Sequence, residues 1–187
     1  MANITQLKHL EHLEDEMLNY GVRGCHAAVD FLRELRKMVG RKPTGSMMQT
    51  KWDGAPSVVC GKHPYTGRFF VGTKSVFNIT EPKLCYFDDD VDTYYQGDLA
   101  NKLKASLEHF KKLDIGGVIQ GDLLYTDDVS QENINGQNLY TFRPNTITYA
   151  IPVDHPLGEQ CKSSKIGVVF HTHYTGDDLG SMQAHGG

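Results

Sequence analysis

The hydrophobic period of this chain changes at Pro43, so the fold must join a helical part to a β part. Before Pro43, Leu7, Leu10, Leu13, Met17 and Leu18 recur at helical spacing, with Thr5 as a candidate N-cap. Gly21 and Gly24 interrupt the pattern. Ala28, Phe31, Leu32, Leu35 and Met38 then predict a second helix from about Gly24 to Val39, ended by Gly40, Pro43 and Gly45. Residues 1–43 therefore read as a helical hairpin. After Pro43 the short apolar runs Met47–Lys51, Ser57–Cys60 and Arg68–Gly72 predict strands, the last two joined as a hairpin through His63–Gly67. Residues 78–96 are irregular and acidic and read as a solvated loop or a helix start. Asp98–Leu113 is an amphipathic helix, with Leu99, Leu103, Leu107 and Phe110 on one face. Val118–Tyr125 predicts a buried strand interrupted by Gly121-Asp122. Thr146–Val153 and Lys165–Thr172 predict two more, with polar loops over Thr126–Asn138 and 154–164. The tail after Thr172 shows no core signal. The expected class is α+β: a mainly antiparallel sheet over 44–187 with one inserted helix.

A chain of 187 residues suffices for one domain plus a small appendage. The formal net charge of −4 gives no global basic field to draw it onto nucleic acid, although a local basic groove is compatible with it. Cys25, Cys60, Cys85 and Cys161 are too widely spaced for a Cys-x-x-Cys metal site, and reduced thiols are the expectation. No apolar run approaches the ~20 residues of a membrane span, so no membrane partner is expected, and the N-terminus has no signal-peptide pattern.

The stretch with chemistry in it is Gln49-Thr50-Lys51-Trp52-Asp53-Gly54-Ala55-Pro56. It places a lysine at a strand end, an acid two residues on, and then a glycine. Asp-Gly and Pro also make tight turns, which is the structural reading of the same residues. As a nucleophile, Lys51 would need its pKa lowered from ~10.4 by desolvation or a neighbouring cation such as Lys74. Other clusters read as structural. His9 and His12 lie on a solvated helical face. The run Asp88, Asp89, Asp90, Asp92 lacks the glycine and terminal glutamate of a calcium loop. His171 and His173 alternate along a strand and read as core or pocket histidines. Cys60 has no partner for thiolate chemistry.

Lys51-x-Asp53-Gly54 resembles the first motif of the covalent nucleotidyltransferases: DNA ligases, RNA ligases and mRNA capping enzymes. Gly72-Thr73-Lys74-Ser75 stands where their second motif falls, with Lys74 in place of arginine. Gly121-Asp122 ends an apolar strand as their Gly-Glu does, with Asp for Glu. Val168-Val169-Phe170-His171 resembles the strand whose aromatic residue stacks on the base. The resemblance implies a fold of the ATP-grasp-like ligase nucleotidyltransferase type, ATP and Mg2+ as cofactors, and a lysyl-AMP formed at Lys51 and passed to a nucleic-acid end. It further implies nucleotide contacts from Gln49, Thr50, Asp53, Gly54, Lys74, Asp122 and Phe170, and a metal at Asp122. Pro56 stands where DNA ligases carry an arginine, which favours the RNA-ligase-like sub-reading. No Glu-Gly or Lys-x-Lys motif follows Phe170, so the expectation is an N-terminal fragment with the late motifs absent.

Several segments also resemble an uncharacterised family of proteins from T4-like phages of marine cyanobacteria. They are His9–Asp15, Lys51–Pro56, Gly67–Ser75, Gln120–Asp122, Phe142–Ile147 and Phe170–Gly176. This implies a phage source and a place in the infected host's cytoplasm or the phage particle. The alternative it leaves open is a phage structural or binding module that keeps a ligase-like fold without catalysis.

Overall fold

The computed structural model describes residues 13–39 and 52–186, which fall into two compact units. Thr5, His9, His12 and the expected strand Met47–Lys51 lie outside the described residues, as do the candidate site residues Gln49, Thr50 and Lys51.

The first unit is α1, Leu13–Val39, two helices joined at Gly21, where φ is 57° and ψ is −132°. Only glycine enters that conformation at little cost, so the break falls where the sequence places it. Gly24 then passes against the first helix. A Cβ there would lie 1.8 Å from the Glu16 carbonyl oxygen. Glu14, Asp15 and Glu16 occupy the first turn and Arg36 and Lys37 the last, which suits the helix dipole at both ends. Of the expected apolar stripe, Ala28 is buried and Leu35 half-buried, while Phe31 and Leu32 are exposed.

The second unit is built on a five-stranded antiparallel sheet. Its strands are β1 (Ser57–Lys62), β2 (Phe69–Gly72), β3 (Val118–Tyr125), β7 (Gly167–Thr175) and β8 (Gln183–Gly186), in the order β2-β1-β3-β7-β8. A second antiparallel sheet holds β4 (Ser130–Ile134), β5 (Gln137–Phe142) and β6 (Tyr149–Pro152). The helices are α2 (Asp88–Tyr94), α3 (Gly97–Phe110) and α4 (Pro156–Ser163). The described chain is thus α+β, with an N-terminal helical element and antiparallel sheets.

Strand alternation sorts the core. Val58 and Cys60 of β1, Val71 of β2 and Leu123 of β3 face α3, where Leu103, Leu107 and Phe110 cover them. On the opposite face Val59, Phe70, Val118 and Tyr174 pack with Val76, Phe77, Leu179 and Met182. Further along that face, Leu124 and Val169 meet Tyr140, Phe142 and Tyr149 of the second sheet, with Cys161 of α4.

Three expected loops are ordered elements. Thr126–Asn138 contains β4 and the start of β5, turning at Asn135-Gly136, both with positive φ. Every side chain of β4 is exposed, so its sequence carries no apolar alternation. Residues 154–164 contain α4, with Pro156 in its first turn and His155 Nδ1 accepting the Leu157 N–H. The tail contributes buried Leu179 and Met182 and the edge strand β8. The acidic run is the start of α2: the Asp90 carboxylate accepts the backbone N–H groups of Tyr86 and Phe87 at 2.8 and 3.1 Å. Among the described residues, no helix is long and apolar enough to cross a membrane.

Candidate functional site

Trp52–Pro56 leads into β1 and is fastened at two places. The Ala55 N–H donates to the Leu123 carbonyl at 2.9 Å, and the Leu123 N–H donates to the Pro56 carbonyl at 3.1 Å. These bonds extend the β1–β3 ladder beyond Ser57, which pairs with Asp122. The Ala55–Pro56 peptide is cis. Gly54 lies directly on β3: a Cβ there would sit 2.5 Å from Asp122 Cβ and 2.8 Å from the Leu123 carbonyl oxygen. The resemblance implies a nucleotide contact at Gly54. In the fold, its missing side chain admits β3.

Asp53 fastens the other side. Its Oδ1 accepts the Asn145 amide at 2.9 Å. Its Oδ2 accepts the Thr146 N–H and hydroxyl, both at 2.9 Å, and the Ile147 N–H at 3.0 Å. These donors, the Asn145 amide first, hold the carboxyl down to about 2. The Asp53 N–H in turn donates to the Tyr149 hydroxyl at 2.8 Å. Trp52 packs on Tyr149, with ring centroids 5.2 Å apart, and Tyr149 stacks on Phe142 at 5.4 Å. Asp53 therefore grips the loop between β5 and β6, including the Phe142–Ile147 segment. Both of its oxygens are engaged there. Arg143 of that loop is exposed.

Asp122 has a different environment. Its Oδ1 lies 3.4 Å from His171 Nε2, and the two side chains are 20% and 33% exposed. Ordinary alternation makes this pair, because Asp122 pairs with Val169 and His171, two residues on, faces the same side; a β-bulge follows. Gln120 is opposite Thr172 and Gly121 is opposite Phe170, so His171 is the extra residue of β7. The bulge turns His171 and Thr172 to one face, where His171 Nδ1 and Thr172 Oγ1 lie 2.8 Å apart. On the same face Gln120 donates to Ser57 Oγ at 2.8 Å and accepts from the Tyr174 hydroxyl, whose pKa burial pushes up to about 12.

Phe170 is turned the other way. It pairs with Gly121 and packs edge-on against Phe110 of α3, with centroids 5.4 Å apart, in the helix-side core. Asp122 pairs with Val169 and faces the opposite side. One strand cannot present adjacent residues to the same face without a bulge between them, and the bulge comes one residue later. Phe170 and Asp122 therefore do not line one site.

Lys74 is exposed in the short 3-10 turn Lys74–Phe77 that follows β2. Its neighbours Thr73 and Ser75 join the Tyr95 hydroxyl in a trio of contacts at 2.9, 3.2 and 2.8 Å. Nothing in the sequence marks Tyr95, which belongs to the expected irregular stretch. Burial pushes the Cys60 thiol up to about 12 and the Cys85 thiol up to about 11, which disfavours thiolate at either.

The structure thus brings together the Trp52–Pro56 turn, Asp122 and His171, and turns Phe170 to the other face, half-buried against the helix-side core. Among the described residues, no three His, Cys, Asp or Glu side chains converge to hold a metal. Asp122 still fits a divalent cation that takes its remaining ligands from phosphate oxygens and water, because one partly exposed carboxylate is enough for such a site. No curated protein and no solved structure matches the chain. A family model does match, over residues 3–187, and the chain belongs to that family, described as a family of unknown function (DUF6267).

Proposed function

We propose that the chain is a nucleotidyltransferase of the ATP-dependent RNA/DNA ligase type, with Lys51 as nucleophile and a sheet of the ligase nucleotidyltransferase kind. The reaction would join Lys51 Nζ to the α-phosphorus of ATP. The bond from that phosphorus to the bridging oxygen breaks, pyrophosphate leaves, and the amine loses its proton. The resulting phosphoramidate would pass AMP to a nucleic-acid end. A divalent cation held by Asp122 would offset the phosphate charge.

The observation that carries this reading is the contact between the Lys-x-Asp-Gly turn and Asp122. Gly54 rests on Asp122 Cβ, and two backbone bonds at Ala55 and Pro56 hold it there. Lys51 is three residues from Gly54, so covalent geometry alone keeps their Cα atoms within about 11 Å. The segments that resemble the first and third motifs, far apart in sequence, thus touch at Gly54 and Asp122. Asp53 acts in this reading as the anchor of the turn. Lys74 stays a candidate phosphate contact, and Phe170 is not assigned to the base.

A second reading has its own support. Asp53 is fully engaged by the 145–147 loop and Phe170 by the core, as they would be in a binding module that keeps the fold without chemistry. Intact-mass spectrometry separates the two. The chain is incubated with ATP or GTP and with Mg2+ or Mn2+, beside Lys51→Ala. A gain of one nucleoside monophosphate on the unsubstituted chain alone is the expected result. No adduct under any of these conditions overturns the enzyme reading in favour of the binding module.

A further inference from the structure

We propose that Asp122 and His171 form a mixed carboxylate–imidazole site that takes a divalent transition ion of the Mn2+ type in preference to Mg2+. This is the cation site on which the nucleotidyltransferase reading relies, and the class of ion is what the geometry adds.

Asp122 Oδ1 and His171 Nε2 stand 3.4 Å apart. That is longer than the ~2.7–2.9 Å of a charge-assisted N–H···O bond. It is within a few tenths of an ångström of the ~3.0 Å that separates neighbouring ligands on an octahedral ion with bonds of ~2.1 Å. The imidazole is held from behind, with Nδ1 2.8 Å from the hydroxyl of Thr172, a buried residue. In the tautomer that carries its proton on Nδ1, that nitrogen donates to the hydroxyl and Nε2 is left free to bind an ion. Metal-bound histidines commonly have such an outer partner, which fixes the tautomer and the ring plane. The backbone supplies the alignment: His171 lies two residues from Val169, the partner of Asp122, and so faces the same side, and the bulge brings Thr172 to that side behind it. The pair is also reachable, at 20% and 33% exposure.

The ligand types set the choice of ion. Mg2+ prefers an all-oxygen octahedral shell and keeps its waters. An imidazole nitrogen contributes little to Mg2+ and more to Mn2+, Co2+ or Zn2+. One nitrogen and one carboxylate leave open positions, which water or phosphate oxygens would fill.

The test uses the full chain without nucleotide. Mn2+ is added in substoichiometric steps while the histidine side-chain resonances are followed by NMR. Selective broadening at His171 is expected. Broadening first at His173 and His185, whose rings stack at 5.1 Å on β7 and β8, would overturn the assignment. Calorimetric titrations then compare Mn2+ with Mg2+ on the unsubstituted chain and on His171→Ala and His171→Asp. Mn2+ is expected to bind on the order of tenfold tighter than Mg2+, an advantage that shrinks severalfold in His171→Ala. In His171→Asp, Mg2+ binding is expected to improve. An unchanged Mn2+ affinity in His171→Ala, or equal affinities for the two ions on the unsubstituted chain, would sink the site. Because no nucleotide is present, metal binding without an adenylate would refute only the nucleotidyl transfer. An adenylate formed without selective Mn2+ binding would refute only the present assignment.

Discussion

Asp53 shows how one side chain can hold two distant segments, and its charge makes the grip depend on pH. The unfolded chain leaves this carboxyl near its ordinary ~3.9, whereas the four donors of Asn145, Thr146 and Ile147 hold it down to about 2 in the fold. As pH falls, the unfolded state binds the proton first. The stabilisation is therefore complete above about 4 and is lost as pH drops through about 2. Thermal unfolding of the native chain and of Asp53→Ala, followed from pH 6 to 2, should show the native chain losing more stability than the variant between pH 4 and 2. Parallel curves would mean that the hydrogen bonds to Asp53 do not bear on folding. The Asp-Gly turn itself was legible in the sequence. Its partner loop was not, because it lies 92–94 residues further along and the bonds come largely from backbone and small polar groups. The sequence reads His171 as a core or pocket position. Its meeting with Asp122 depends on β7 pairing with β3, and its contact with Thr172 on a β-bulge, and apolar spacing marks neither.

At the scale of the element, the helices and strands of the second unit visible in the sequence are those with an apolar face to bury. Val118–Tyr125 and the α3 stripe of Leu103, Leu107 and Phe110 are read directly from their spacing. β4 was missed because all five of its side chains face solvent, and α4 because its eight residues bury only Gly158 and Cys161. The acidic run at 88–92 was half legible. As a charge cluster it suggests a cation, but its position suits a helix start, and Asp90 bonds back to the amides of Tyr86 and Phe87. Those residues also carry Arg68, which lies 4.3 Å from the Tyr86 ring centroid and 5.3 Å from that of Phe87. Asp90→Ala removes the acceptor of both N–H groups and should cost about 1 kcal/mol, the usual loss for a capping side chain. Asp89→Ala, at an exposed neighbour, should stay within about 0.5 kcal/mol. Urea unfolding of the two variants checks this. Equal costs would show that α2 is held by general acidity in its first turn, not by the Asp90 bonds.

At the scale of the molecule, the candidate site sits where the antiparallel ladder is deepest. β3 is paired on both sides, by β1 and by β7, and the strands it joins are far apart in sequence. That order could not be read from apolar spacing, which shows that a strand exists but not which strand it will pair with. It does have a consequence for stability. β1 has Val58, Val59 and Cys60 fully buried, and β3 has Val118 and Leu123 nearly so, whereas β4 is an edge strand with no buried residue. Local opening costs least where few apolar contacts are lost and most where it amounts to unfolding the domain. Native-state hydrogen exchange should therefore find the slowest amides in the β1–β3 ladder, opening at the global free energy, on the order of 5–15 kcal/mol for a domain of this size. Amides of β4 should exchange through openings several kcal/mol cheaper. This gradient matters for the site. The Trp52–Pro56 turn is bonded on one side to the most protected strand, through Leu123, and on the other to the loop between β5 and β6. A turn set between a rigid floor and a looser sheet can keep its strand-side geometry while the loop held by Asp53 opens. If β4 and β5 proved as protected as β3, the two sheets would open only together, and entry to the Asp122–His171 face could not depend on movement of the smaller one.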